Sequence, residues 1–218
     1  MVMADTQVVF FSFVEDDPTR AVVLQLFSYL RKVCQHEILL AAGHPVVTHG
    51  FGKLKAKAMR LRDASKSGVK CFFLTDLDQH ETPNGLGRDW FGIQCLSELP
   101  PHFIFRISIR EIESWIMADR EAFASFLSIQ ASCLPENPDL LPDPKQFLFN
   151  LIRKKCRQRK YIDMLPVSGQ RVGVSYNSML VEFVDTMWSL ARAMEHSPSL
   201  NRSVRKSVAS MKALLLEE

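Results

Sequence analysis

Four apolar runs, Val8 to Val14, Glu37 to Ala42, Val69 to Leu74 and Phe103 to Ile109, alternate with stretches of helical periodicity through about residue 128. Short runs separated by amphipathic segments predict βαβ units around a mainly parallel sheet, hence an α/β fold. After the first run, Asp17 is placed to cap a helix with Pro18 in its first turn. Val22, Leu26, Phe27, Leu30 and Val33 would form that helix's apolar stripe. A second helix is predicted from about Lys53 to Ser65. Gln79 to Arg88, with Pro83-Asn84-Gly85 and Gly87, reads as a loop, and Arg88 to Leu99 as a helix leading to the fourth strand. One further helix is predicted to run on to about Leu127.

The texture then changes. Pro135, Pro138, Pro142 and Pro144 interrupt one short stretch, which reads as a linker or irregular covering loop. Helical patterns follow over about Lys145 to Gln158, Tyr176 to Met194 and Leu200 to Leu216. The expected organisation is an α/β domain over 1–128 and a helical extension over 129–218 packed on it.

The same pattern places acids at the ends of apolar runs. Lys70-Cys71-Phe72-Phe73-Leu74-Thr75 runs into Asp76-Leu77-Asp78, and Val8 to Val14 runs into Glu15-Asp16-Asp17. On a continuing strand, an i, i+2 pair shares one face, where a hard divalent cation would neutralise both carboxylates. Open α/β sheets hold ligands at the carboxyl ends of their strands. Glu15, Asp76 and Asp78 are therefore candidate ligands of Mg2+ or Mn2+, with Asp16 or Asp17 one register step away. The alternative for the Asp pair is a solvated turn.

Composition narrows the classes. Apolar residues at 47% and charged residues at 23% describe an ordinary soluble globular protein, and a net charge of +3 permits a polyanionic partner without demanding one. Cys34, Cys71, Cys95, Cys133 and Cys156 form no C-x-x-C pair, so neither a disulfide frame nor a structural zinc is indicated. No basic leader precedes the first apolar run and no stretch reaches about 18 apolar residues, so neither signal peptide nor membrane span is expected. The expected location is cytoplasmic.

Glu15 after the first run and Asp76-Leu77-Asp78 after the third stand about sixty residues apart. That order resembles the Toprim fold of topoisomerases, bacterial primases and overcoming-lysogenization-defect nucleases. Arg110-Glu111-Ile112-Glu113-Ser114-Trp115-Ile116-Met117-Ala118-Asp119 and Ser197-Pro198-Ser199-Leu200-Asn201-Arg202 are similar to an uncharacterised bacterial Toprim-like family found beside ATPases in phage-defence islands. Where many Toprim proteins carry Glu-Gly, this chain has Glu15-Asp16. The resemblance implies a Rossmann-like sheet and a metal-dependent nuclease hydrolysing phosphodiester bonds in DNA or RNA, linked to an ATPase partner protein. It implies catalytic roles for Glu15, Asp76, Asp78 and Glu113, with Glu15 completing the metal site or handling a proton. Glu113 would support a second metal or orient the first.

Other residues carry two readings each. Glu111 and Glu113 share a face on a strand but diverge by about 200° on a helix. Glu113 is favoured to face the site because Ile109 and Ile112 suit the core, although acids at a helix start also complement its dipole. Lys53, Lys55, Lys57 and Arg60, and the denser run Arg153, Lys154, Lys155, Arg157, Arg159 and Lys160, either track phosphates or form solvated helix faces. Gly50-Phe51-Gly52-Lys53 is too short for a Walker loop and reads as a tight turn or a small phosphate cradle. His44, His49 and His80 read as loop residues, and Trp90, Trp115 and Trp188 as core anchors. Two other functions stay open: a non-catalytic regulatory subunit binding nucleic acid or a nucleotide at a metal site, and a phosphatase of haloacid-dehalogenase type.

Overall fold

Apolar runs too short for helices become strands when flanking helices bury both faces of the sheet they form. In the computed structural model, which describes residues 7–216, the first such elements are β1 (Val8–Val14), α1 (Asp17–Cys34), β2 (Ile38–Leu40), β3 (Val46–Val47), α2 (Phe51–Ser65), β4 (Cys71–Asp76), α3 (Pro83–Phe91) and β5 (Phe103–Ser108). The strand order is β2-β1-β4-β5, with β3 also pairing β1. β1 runs parallel to β2, β3 and β4. The protein is α/β, with a mainly parallel, Rossmann-like sheet flanked by helices.

Phenylalanines fill both faces of this sheet. On one, Phe27 of α1 sets its edge on Phe72 at 5.1 Å and on Phe10 at 6.0 Å. On the other, Phe13 stacks on Phe73 at 5.3 Å and Phe73 meets Phe103 at 5.0 Å, while Trp90 of α3 packs on Phe105 at 5.2 Å. Each fully buried ring is worth about 2 kcal/mol. Trp90 lies in the core as expected, and so do Trp115 and Trp188.

The chain divides into two compact units. One comprises the residues up to Ile107 together with those from Arg202, and the other is Ser108–Asn201. In the first unit, Arg106 of β5 ties down the returning last helix by donating to Ser207 Oγ at 2.9 Å and Ser210 Oγ at 3.0 Å. Burial pushes its guanidinium down to about 10, so it keeps its charge at neutral pH.

The second unit is helical: α4 (Ile112–Met117), α5 (Arg120–Leu127), α6 (Pro144–Lys155), α7 (Arg159–Ile162), α8 (Tyr176–Thr186), α9 (Leu190–His196) and the first turn of α10 (Pro198–Leu215). Phe123 and Phe126 of α5 meet Phe183 of α8 at 4.8 and 5.3 Å. These contacts explain why the division falls before α4 and not at the expected 128/129 boundary. The apolar stripes of α4 and α5 find their partners among helices.

Several local expectations change. Asp16, not Asp17, caps α1, accepting from the Thr19 amide at 2.9 Å. Val33 is 37% exposed and falls off the buried stripe. The helix after β4 begins at Pro83, inside the expected loop, because Thr82 Oγ1 accepts from the Gly85 amide at 3.0 Å and Pro83 suits the first turn. It ends at Gly92, whose φ of 69° suits a residue without a Cβ. The helix expected through Leu127 breaks at Asp119, and that expected over Tyr176 to Met194 breaks before Ser189, which caps α9. No helix among the described residues is long and apolar enough to cross a membrane.

Candidate acidic site at the strand ends

β1 and β4 are neighbours, in register at Phe11↔Cys71, Ser12↔Phe72 and Phe13↔Phe73. Carried two steps further, that register sets Glu15 level with Thr75 and one residue short of Asp76, so strand alternation alone does not put the two carboxylates on one face. β1 ends at Val14 and β4 at Asp76, so these acids sit where both strands leave the pleat. Both are half-buried. On the other flank of β1, the His49 amide donates to the Glu15 carbonyl at 3.0 Å and the Thr48 amide to the Val14 carbonyl at 2.9 Å. The backbone of Glu15 is thereby continued into the β3 ladder.

The register question among three consecutive acids is answered locally. Asp16 is engaged as the α1 cap and Asp17 pairs with Arg20 at 3.0 Å. Glu15 is the acid at the strand tip. Asp78 departs from the expected geometry: β4 has ended, and Asp78 is exposed with a φ of 50°. With the strand ended at Asp76 and a left-handed residue at Asp78, strand alternation does not place it beside Asp76.

His80 and Lys55 belong to a separate small cluster. Lys55 Nζ lies 2.8 Å from Asp89 Oδ2 and His80 Nε2 lies 3.5 Å from the same oxygen. The Lys55 hydrogen bond holds the Asp89 carboxyl below the usual range. Lys55 is thus engaged between α2 and α3, whereas Lys53 is exposed. Gly50, with a φ of 136°, precedes α2 without a side-chain cap, so Gly50-Phe51-Gly52 is a tight helix entry. Arg153 and Lys154 stand in the last turn of α6 and Arg157 just beyond it, all exposed.

In the second unit, the Glu-rich segment divides at its helix start. Glu111 precedes α4 and accepts from the Lys145 amide at 3.0 Å, with Lys145 Nζ 3.5 Å from its other oxygen. Glu113 lies in the first turn, only 2% exposed. Its Oε1 accepts from the Tyr176 hydroxyl at 2.6 Å and stands 3.4 Å from Lys145 Nζ, while its Oε2 is buried without a hydrogen bond. Burial raises its pKa above the ordinary glutamate value, and Glu111 adds to the rise while Lys145 opposes it.

The remaining motif residues fasten helices together. Asp119, fully buried, accepts from Arg192 Nε at 2.8 Å, Arg192 Nη2 at 2.7 Å and the Ser189 amide at 2.7 Å. Asp139 accepts from Ser197 Oγ at 2.8 Å and the Ser199 amide at 2.7 Å, and Trp115 Nε1 donates to Ser199 Oγ at 2.7 Å. Ser197-Pro198-Ser199 is thus the seat of α10. Tyr176, Lys145 and Asp139 escaped the sequence reading because their partners lie far along the chain and no short motif contains both halves.

No family model, curated protein or solved structure matches the chain. Among the described residues, no group of three or more His, Cys, Asp or Glu side chains is placed to hold a metal ion. The donor chemistry at the strand ends is nonetheless all oxygen, which suits a hard cation. Magnesium keeps several waters and takes one or two carboxylates plus substrate phosphates, so it does not require a protein cage.

Proposed function

We propose that the protein is a Toprim-like, Mg2+- or Mn2+-dependent nuclease that hydrolyses phosphodiester bonds in DNA or RNA, as an effector linked to an ATPase partner. The observation that carries this reading is the placement of Glu15 and Asp76 at the ends of adjoining parallel strands, where sheets of this class take their ligands. Asp76 and Glu15 would hold the cation, with Asp78 reaching it from the turn. A cation bound there would neutralise the scissile phosphate and lower the pKa of an attacking water. Glu15, at the β1 tip, would orient that water or take its proton. Glu113, held by Tyr176 and Lys145, enters as a positioning group for α4.

The test is cleavage of single- and double-stranded DNA and RNA with Mg2+ or Mn2+, comparing the wild type with Asp76→Ala and Glu15→Gln. Both variants are expected to fold and to lose cleavage and calorimetric metal binding together. A folded Asp76→Ala protein that still cleaves with metal would overturn the assignment. Metal binding by the wild type with no turnover on any substrate would leave a regulatory subunit in its place.

A further inference from the structure

Residues 153–160, Arg-Lys-Lys-Cys-Arg-Gln-Arg-Lys, contain six cations and no acid. All six cations are exposed. The α6 dipole accounts for Arg153, Lys154 and Lys155 in its last turn. It does not account for Arg157, Arg159 and Lys160, which follow the extended cap residue Cys156. The segment is anchored from below: Cys156 is buried with its Sγ 3.7 Å from the Leu127 carbonyl, Tyr161 is buried with its hydroxyl donating to the Phe126 carbonyl, and Gln158 Nε2 donates to Ser128 Oγ at 3.1 Å. Those anchors fix the backbone while the cations point to water.

Their pairing is equally uneven. Arg159 meets Asp163 at 2.8 Å and Lys160 lies over the Tyr161 ring at 4.8 Å. Arg153, Lys154, Lys155 and Arg157 have no carboxylate partner among the described residues. An ordinary solvated face interleaves both signs, and elsewhere in the chain Asp63 serves both Arg62 at 3.3 Å and Lys66 at 3.1 Å. We propose that Arg153, Lys154, Lys155 and Arg157 form a phosphate-tracking surface for a nucleic-acid backbone, binding through charge without base readout. The choice of nucleic acid as the polyanion rests on the hydrolase reading above.

The experiment measures binding of short fluorescent DNA and RNA strands to the full chain in chelator, over a series of salt concentrations. The variant R153Q/K154Q/K155Q/R157Q is expected to bind at least tenfold more weakly and to lose about three units of the log–log salt slope. A matched variant, R202Q/R205Q/K206Q/K212Q, removes the same charge from exposed positions of α10 and is expected to change the slope little. Equal weakening by both variants, or an unchanged slope in the first, overturns the proposal. So does binding to acidic peptides or anionic vesicles in preference to nucleic acid. Should the fourfold variant fail to fold, single R157Q and K154Q variants carry the test, each expected to lower the slope by about one unit. A wild type that binds steeply but cleaves nothing keeps this surface and removes the hydrolase. Cleavage with binding unaltered in the variant does the reverse.

Discussion

The acids of the sheet and the acids of the helical unit look alike in sequence and live in opposite surroundings. Glu15 and Asp76 are half-buried at strand ends, positioned by their backbones. Asp119 and Glu113 are 0% and 2% exposed; Arg192 and Ser189 take both oxygens of Asp119, and Tyr176 and Lys145 meet one oxygen of Glu113. The acids of residues 110–119 are the ones that hold helices together. Carboxylates close together in the sequence therefore take different places in the fold: two half-buried at the ends of neighbouring strands, others sunk among helices where donors from distant segments fasten them.

The sharpest way to break this contrast is to exchange consequences. Asp76→Ala should drive metal-dependent cleavage below detection while leaving the melting temperature nearly unchanged, read by calorimetry on the same sample. Arg192→Ala should do the opposite. It leaves the fully buried Asp119 carboxylate with the Ser189 amide as its main donor, a loss of about 1 to 3 kcal/mol in urea unfolding, since the guanidinium itself is half exposed. If Arg192→Ala left stability intact, the motif would not be what fastens these helices.

The buried glutamate offers a second contrast, through pH. Its pKa is raised by burial, so the folded state holds the proton more tightly than the unfolded chain does. The associated stability is complete below the ordinary glutamate pKa and is lost as pH rises through the raised value. Glu113→Gln keeps an acceptor for the Tyr176 hydroxyl and cannot ionise, so stability should vary less between acid and neutral pH than in the wild type. Urea midpoints across that range check it; an unchanged pH profile would show that another group dominates.

Much of the sheet was legible because period and length act locally. Val8 to Val14 has the same bounds in sequence and structure, and the run ending at Leu74 continues only as far as Asp76. β3 was not legible, since Val46–Val47 is two residues whose strand character comes from pairing with Phe13 and Val14. The α3 start was missed because Gly85 and Gly87 suggested a loop, whereas the Thr82-Pro83 cap outweighs them. At the candidate site, strand-end acids could be picked from the pattern, but the face of Asp78 could not. That depends on where β4 stops, and one left-handed residue decides it. Lys55 looked equivalent to Lys53 until α3 brought Asp89 beside it.

The smallest expected effect tests the register of the site itself. Asp16 is adjacent to Glu15, and its Oδ1 accepts from the Thr19 amide at 2.9 Å, satisfying one of the donors that a helix start leaves open. Asp16→Ala should therefore cost about 1 kcal/mol, measured by urea unfolding, and Asp16→Asn much less, because an amide oxygen caps as well. Cleavage should survive both substitutions at a temperature where the protein stays folded. Loss of cleavage in a fully folded Asp16→Asn protein would move the essential acid one residue along the chain. The β1 tip would then act through Asp16 and not through Glu15, and a ligand set built on the neighbouring strand end would have to be redrawn.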